Sequence, residues 1–127
     1  MTEPRFLLDS NICIFLLESK SRTLDLRVEQ CAPGELVTSA IAFAEVAMGI
    51  DWSKAEDARI AANFFTHIPV LPFDQAAALD YAALPFTRHR YDRLIAAHAR
   101  ALGVILITAN LQHYRDVTDL KAEDWTQ

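Results

Sequence analysis

The chain is poor in the residues that build cross-linked or metal-stapled folds. It has two cysteines, Cys13 and Cys31. That is too few for a disulfide scaffold, and no CxxC or Cys/His spacing of the zinc-binding kind accompanies them. Both thiols are expected in a reduced, cytoplasmic setting, packed as small apolar groups. Glycine is scarce, at three residues, and prolines number five. No Gly/Ser/Pro-rich linker, repeat or low-complexity tract divides the sequence, so one domain is expected over residues 1–127. No run approaches the roughly 20 apolar residues of a membrane span. The apolar stretch near the start is short and lies between Glu3 and Asp9, which argues against a secretion signal. An excess of positive charge is also missing. Twelve Lys and Arg against 17 Asp and Glu leave a formal charge of −5, which argues against polyanion binding by the whole surface but leaves room for a local basic patch.

What is present is apolar residue in quantity. Hydrophobic residues make up 52% of 127, enough for a full core. They fall in short runs that alternate with longer amphipathic ones. "RFLL" (5–8) suits a buried strand, and "SNICIFLLE" (10–18) a helix capped near Ser10 or Asn11. "RTLDLRVEQC" (22–31) reads as a helix ended by Pro33-Gly34, and "ELVTS" (35–39) as a second strand. "AIAFAEVAMGI" (40–50) and "KAEDARIAANFFTH" (54–67) follow as helices. "IPVLPF" (68–73) carries two prolines and fits an edge strand. "DQAAALDYAAL" (74–84) is a helix capped by Asp74, and "YDRLIAAHARAL" (91–102) another, closed by Gly103. "VILIT" (104–108) is the clearest strand; a short helix or turn and a weak strand near 117–121 complete the chain. This alternation predicts an α/β fold with a mainly parallel sheet. Such sheets place their sites outside the carboxyl ends of the strands. Asp9 ends the first strand and Asn110 follows "VILIT", so both belong to one edge.

The acids within apolar surroundings are the anomaly. Asp9 is the only charged residue between Arg5 and Glu18, and Glu45 the only one between Glu35 and Asp51. A carboxylate in such a setting is costly unless something compensates it. At helical spacing Glu45 lines up with Ile41, Met48 and Trp52 and should face other structure. Asp92 opens a helix, where the dipole favours it, and Asn110 adds a neutral oxygen. Converging carboxylates either take up protons or share a cation. Oxygen-only ligands suit Mg²⁺ or Mn²⁺, and a carboxylate-held divalent ion can assist hydrolysis of a phosphodiester. The bland alternative has Asp9 and Glu45 capping helices or pairing with buried arginines.

"RHRYDR" (88–93) sets Arg88, Arg90 and Arg93 around Asp92. A basic patch with an aromatic residue can hold RNA phosphates and stack a base; a solvated loop is the competing reading. His98, six residues beyond Asp92, falls on another side of the helix and reads as a packed histidine. His67, His89 and His113 have no ligand spacing. Asp80, Glu56 and Asp57 fit a solvated helix face, as do Asp116 and Asp119 a surface loop. Trp52 and Trp125 fit either core or a partner.

Taken together, "LLDSNICIFLL", "TSAIAFAEVAMGI", "YDRLIAAHARALGVILITAN" and "DLKAEDW" resemble the PIN-domain ribonucleases, and among them the VapC-type toxins of bacterial toxin–antitoxin pairs, from about Phe6 to Trp125. The resemblance implies a three-layer α/β/α sandwich with a parallel sheet of about five strands. It implies Mg²⁺- or Mn²⁺-dependent endonuclease cleavage of RNA, commonly tRNA or rRNA, that stops translation and leaves 5′-phosphate and 3′-hydroxyl ends. Asp9, Glu45 and Asp92 match the family's metal-ligand acids, Asn11 and Ser39 its supporting polar residues. Asn110 stands where many members have a fourth acid, which puts a tightly held second metal in doubt. Ser10 replaces a more usual Thr, and Ala42 a common hydroxyl residue. A cognate VapB-type antitoxin whose C-terminal segment enters the acidic cleft is implied, with DNA contacted only through it, and so is a homodimer. Two other functions stay open: a noncatalytic RNA-binding translation blocker, which Asn110 favours, and a housekeeping PIN nuclease without antitoxin.

Overall fold

A computed structural model describes residues 3–85 and 90–127, and of residue 90 the backbone alone. Its centre is a five-stranded sheet. Strand β1 (Phe6–Leu8) is flanked by β2 (Leu36–Ser39) and β4 (Ile105–Ile107), with β3 (Val70–Leu71) and β5 (Ala122–Glu123) at the edges, in the order β3-β2-β1-β4-β5. Every pairing is parallel. The crossovers are α1 (Ser10–Glu18) with α2 (Arg22–Glu29), α3 (Ala40–Met48) with α4 (Ala55–His67), and α5 (Gln75–Ala82) with α6 (Arg90–Leu102). A 3₁₀ turn, Leu111–Tyr114, precedes β5. Helices on both faces make three layers, the arrangement a buried parallel sheet requires.

Strand register sorts the apolar residues. Leu7 pairs with Val37 on one side and Leu106 on the other. That row packs with Ala42, Ile95, Ala96, Ala99 and Tyr114 in one core cluster. Phe6 and Leu8, pointing the opposite way, pack with Ile12, Cys13, Leu24, Ile107 and Trp125 in another. Among the described residues no helix is long and apolar enough to cross a membrane.

Several local expectations need correction. The cap of α1 is Asp9 itself, not Ser10 or Asn11: its side chain accepts from the Ile12 amide. The last strand lies at Ala122–Glu123 rather than 117–121, because the chain still turns through Asp119 with φ +62°. Asp80 is no solvated residue; it pairs with Arg100 at 2.8 Å between α5 and α6. Cys13 is buried, whereas Cys31 is partly exposed. Trp125 is core, at 2% exposure. Trp52 is about half exposed and Met48, in line with Glu45, largely so. Asp74 does cap α5, accepting from Ala77, and β3 is an edge strand.

Candidate active site

Strand β1 ends at Leu8, and the sheet's hydrogen bonding runs one residue past it, to Asp9. The Asp9 amide donates to Ile107 O at 3.1 Å. The chain then turns into α1, and Oδ1 accepts from the Ile12 amide at 2.9 Å. Only 4% of Asp9 is exposed. Burial pushes its carboxyl up from 3.8 to about 6; the Thr108 hydroxyl and the Ile12 amide pull it back, while the charges of Asp92 and Glu45 push it further. A cap explains one oxygen of Asp9. It does not explain a carboxylate held in so poor an environment for charge.

Glu45 arrives from α3. Ser10, the residue after Asp9, donates its hydroxyl to Glu45 Oε1 at 2.9 Å. Burial raises the Glu45 carboxyl above its ordinary value, the Ser10 hydrogen bond lowers it, and Asp92 raises it. The start of α3 is fixed by Ser39, buried and capping the helix through the Ile41 amide at 3.1 Å. His98 Nδ1 lies 2.8 Å from the same Ser39 Oγ, tying the Glu45-bearing helix to α6. His98 is thus the packed, hydrogen-bonded histidine the sequence implies, and burial keeps it below its ordinary pKa.

Asp92 lies in the first turn of α6, with Oδ2 3.1 Å from His113 Nδ1. Asn110 follows β4, half-buried, its amide donating to Thr108 Oγ1 at 3.0 Å. Asn11 is exposed at the second position of α1. Asp9, Glu45 and Asp92 therefore come from three segments distant in sequence, and each of Asp9 and Glu45 feels the charge of Asp92. Tyr114 completes this corner. Its ring is buried in the core, and Oη is buried with no hydrogen-bond partner. Burial, and then the charges of Asp9 and Asp92, push the phenol well above its ordinary pKa, so it stays a donor.

The arginines divide. Arg88 lies outside the described residues, as does the side chain of Arg90. Arg93 is 6% exposed, with Nη2 2.6 Å from Asp116 Oδ1. That corrects its reading as a phosphate-binding residue, because the ion pair holds its guanidinium inside the fold. Asp116 is thereby a partner of Arg93. Sequence reasoning also missed His113 and Tyr114. Both act across about twenty residues of chain, and no local spacing marks them.

The donor set is all oxygen and carries several negative charges in partial burial. Among the described residues no three His, Cys, Asp or Glu converge closely enough to chelate an ion directly. An all-oxygen donor set suits Mg²⁺ better than zinc, and Mg²⁺ keeps several waters and uses one or two carboxylates. An orphaned buried hydroxyl beside the acids also fits, because leaving it unbonded costs about 1–3 kcal/mol. The residues present thus fit a hydrated divalent cation.

Comparison with known proteins shows what the chain as a whole resembles. The PIN domain model matches residues 6–118. The "tRNA(fMet)-specific endonuclease VapC" of Shigella flexneri is 30% identical over 131 residues, covering 96% of this chain and 98% of the relative. The structure of VapBC-1 from nontypeable Haemophilus influenzae superposes with a TM-score of 0.79 at 29% identity, over 96% of this chain and 98% of the other. DNA-bound VapBC from Salmonella typhimurium gives a TM-score of 0.79 at 26% identity, over 96% and 98%.

Proposed function

Because the chain belongs to the PIN-domain family, and within it to the VapC group, we propose that it is a metal-dependent endoribonuclease toxin. It cleaves RNA, of the tRNA or rRNA class, and so inhibits translation in the cytoplasm. The observation that supports this reading is the charge coupling of buried Asp9 and of Glu45 to Asp92, which together with burial raises the pKa of both.

Asp9, Glu45 and Asp92, with Asn110 assisting, would hold Mg²⁺ or Mn²⁺. The ion supplies a lowered pKa for water and neutralises charge on the phosphodiester. The chain's own contribution is positional. The Ile12 amide fixes Asp9. Ser10 turns Glu45 toward the same corner, and His113 orients Asp92. Asn110 offers an amide oxygen without adding charge, which favours one ion and leaves a second to arrive with substrate. Ser39 anchors the Glu45-bearing helix, and Asn11 offers a polar side chain beside Asp9. Arg88 and Arg90 are the cations proposed to meet RNA phosphates, giving an acidic chain a local place to hold RNA.

A VapB-type antitoxin is the proposed regulator, and a homodimer the proposed assembly. A groove of about 360 Å³, walled by residues such as Ile14, Leu17, Val46 and Ile60, reaches Glu45. It supports entry of an antitoxin segment into the acidic cleft, where a basic side chain would stand in for the cation. DNA contact would come through that antitoxin, in keeping with this chain's charge of −5.

The test is incubation of total RNA with the purified, antitoxin-free chain, with Mn²⁺ or Mg²⁺ and with EDTA. Discrete fragments that vanish with EDTA are expected. Asp9→Asn should lower cleavage by about a hundredfold or more, the scale of losing one electrostatic stabiliser of a transition state. Full metal-dependent cleavage by Asp9→Asn would overturn the assignment. A folded wild-type chain that binds RNA but never cuts it would favour the noncatalytic reading.

A further inference from the structure

Tyr114 is a tyrosine where packing alone asks only for an aromatic ring. The ring belongs to the core cluster with Leu7, Ile95 and Leu106. The hydroxyl lies beyond that apolar surface. It is buried from solvent and, unlike nearly all buried hydroxyls, is bonded to nothing. Asp92 and Thr108 stand close enough to perturb it as hydrogen-bond partners and Asp9 acts through its charge, yet neither contact has the geometry of a formed bond. Thr108 Oγ1 already accepts from the Asn110 amide, and Asp9 Oδ1 from Ile12. Asp92 is a charged acceptor with lone pairs to spare. His113, the residue before Tyr114 in the same 3₁₀ turn, already meets it.

We propose that Tyr114 is a positioning residue of the acid cluster, whose hydroxyl donates to the Asp92 carboxylate when a divalent cation is held there. The inference rests on the metal-dependent reading above. Short of a formed bond, the buried hydroxyl burdens the fold. With the cation held, Asp92 is confined, and the hydroxyl gains an acceptor while steadying a ligand. The 3₁₀ turn thus offers two neighbouring donors, His113 and Tyr114, to one carboxylate. Outer partners of this kind set metal affinity, not the ligand set itself.

The decisive measurements are a calorimetric titration with Mn²⁺ alone and thermal melts of the cation-free chain, for wild type and Tyr114→Phe. Phenylalanine keeps the ring and removes only the hydroxyl. Mn²⁺ binding should weaken about tenfold, the low end for loss of an outer-shell partner. The cation-free melting temperature should stay level or rise. A merely structural hydroxyl would give the reverse pair of results. Unchanged Mn²⁺ affinity overturns the proposal, and so does a fall of several degrees in the cation-free melt, since the hydroxyl would then have a partner without the ion. Absence of Mn²⁺ binding in wild type would instead overturn the metal-dependent reading, and this inference with it.

Discussion

The two faces of the sheet are built from the same strands but to different ends. On the side of Phe6 and Leu8 the buried cluster is apolar apart from polar residues such as Thr38, whose hydroxyl donates to Leu8 O at 2.7 Å, and Phe6 meets Trp125 edge-on at 4.8 Å. On the side of Leu7, the α6 helix brings small alanines against the sheet, and with them the buried Arg93 and His98. Each face has one large aromatic residue with a polar end. Trp125 Nε1 donates to Glu123 at 2.9 Å, while Tyr114 Oη donates to nothing. Among the described residues the buried polar atoms without a partner are that hydroxyl and two nitrogens of Arg93. One face is therefore packed for stability. The other carries unsatisfied polar groups next to the acids, where a protein tolerates cost for the sake of chemistry.

If the division is real, damage to the apolar face should cost folding and leave chemistry alone. Leu24 on α2 is fully buried and remote in sequence from every proposed acid. Leu24→Ala should destabilise the chain by about 2–5 kcal/mol through lost burial and a residual cavity, read by denaturant unfolding. Mn²⁺ affinity and cleavage per folded molecule should be unchanged. Loss of either in the folded fraction would show that the two faces are coupled.

Asp9 should do the opposite. Its carboxyl is raised in the fold from 3.8 to about 6. Well below pH 3.8 it is protonated in folded and unfolded chains alike, so it then imposes no charge penalty. As pH rises, the unfolded chain ionises first, and stability falls until the folded carboxyl ionises near 6. Above that the penalty is constant, at up to about 3 kcal/mol on the linkage scale. Asp9→Asn keeps an oxygen for the Ile12 cap and carries no charge. The cation-free variant should melt higher than wild type at pH 8 and nearly alike near pH 3, and Mn²⁺ should narrow the gap by stabilising wild type alone. Equal melting curves at pH 8 would mean that Asp9 is not under strain.

How much of this was legible in sequence follows from the range of the interactions. Asp9 and Glu45 stood out because each is a lone charge in a long apolar run, a purely local signal. The parallel sheet was legible from alternating short and long apolar runs, and Asn110 from its place after "VILIT". What failed depended on contacts between distant segments. Arg93 reads as a surface cation until α6 turns it toward Asp116, 23 residues on. Asp80 reads as solvated until α5 and α6 meet through Arg100. Ser10 and Asn11 looked as able to cap α1 as Asp9, since all three are good capping residues and one position separates each from the next. The choice fell to Asp9 because β1 ends where its amide still reaches Ile107, which is a property of the sheet.

The smallest effect expected at the polar face concerns Ser10. Its hydroxyl serves Glu45 and no structural partner in the apolar face, so Ser10→Ala should barely change the melt. Without that donor the Glu45 carboxyl, already raised by burial, should rise further. A raised carboxyl is protonated over more of the acidic range, so the acidic limb of the cleavage-rate profile should move to higher pH. Losing one hydrogen bond to a half-exposed carboxylate is worth about 1 kcal/mol, or about fivefold in rate on that limb, and the deficit should shrink toward pH 8. Ser10→Thr retains the hydroxyl and should retain the profile. A uniform loss at every pH, or a loss shared by Ser10→Thr, would assign the residue to packing against α3 and move the boundary between the two regions outward past Glu45.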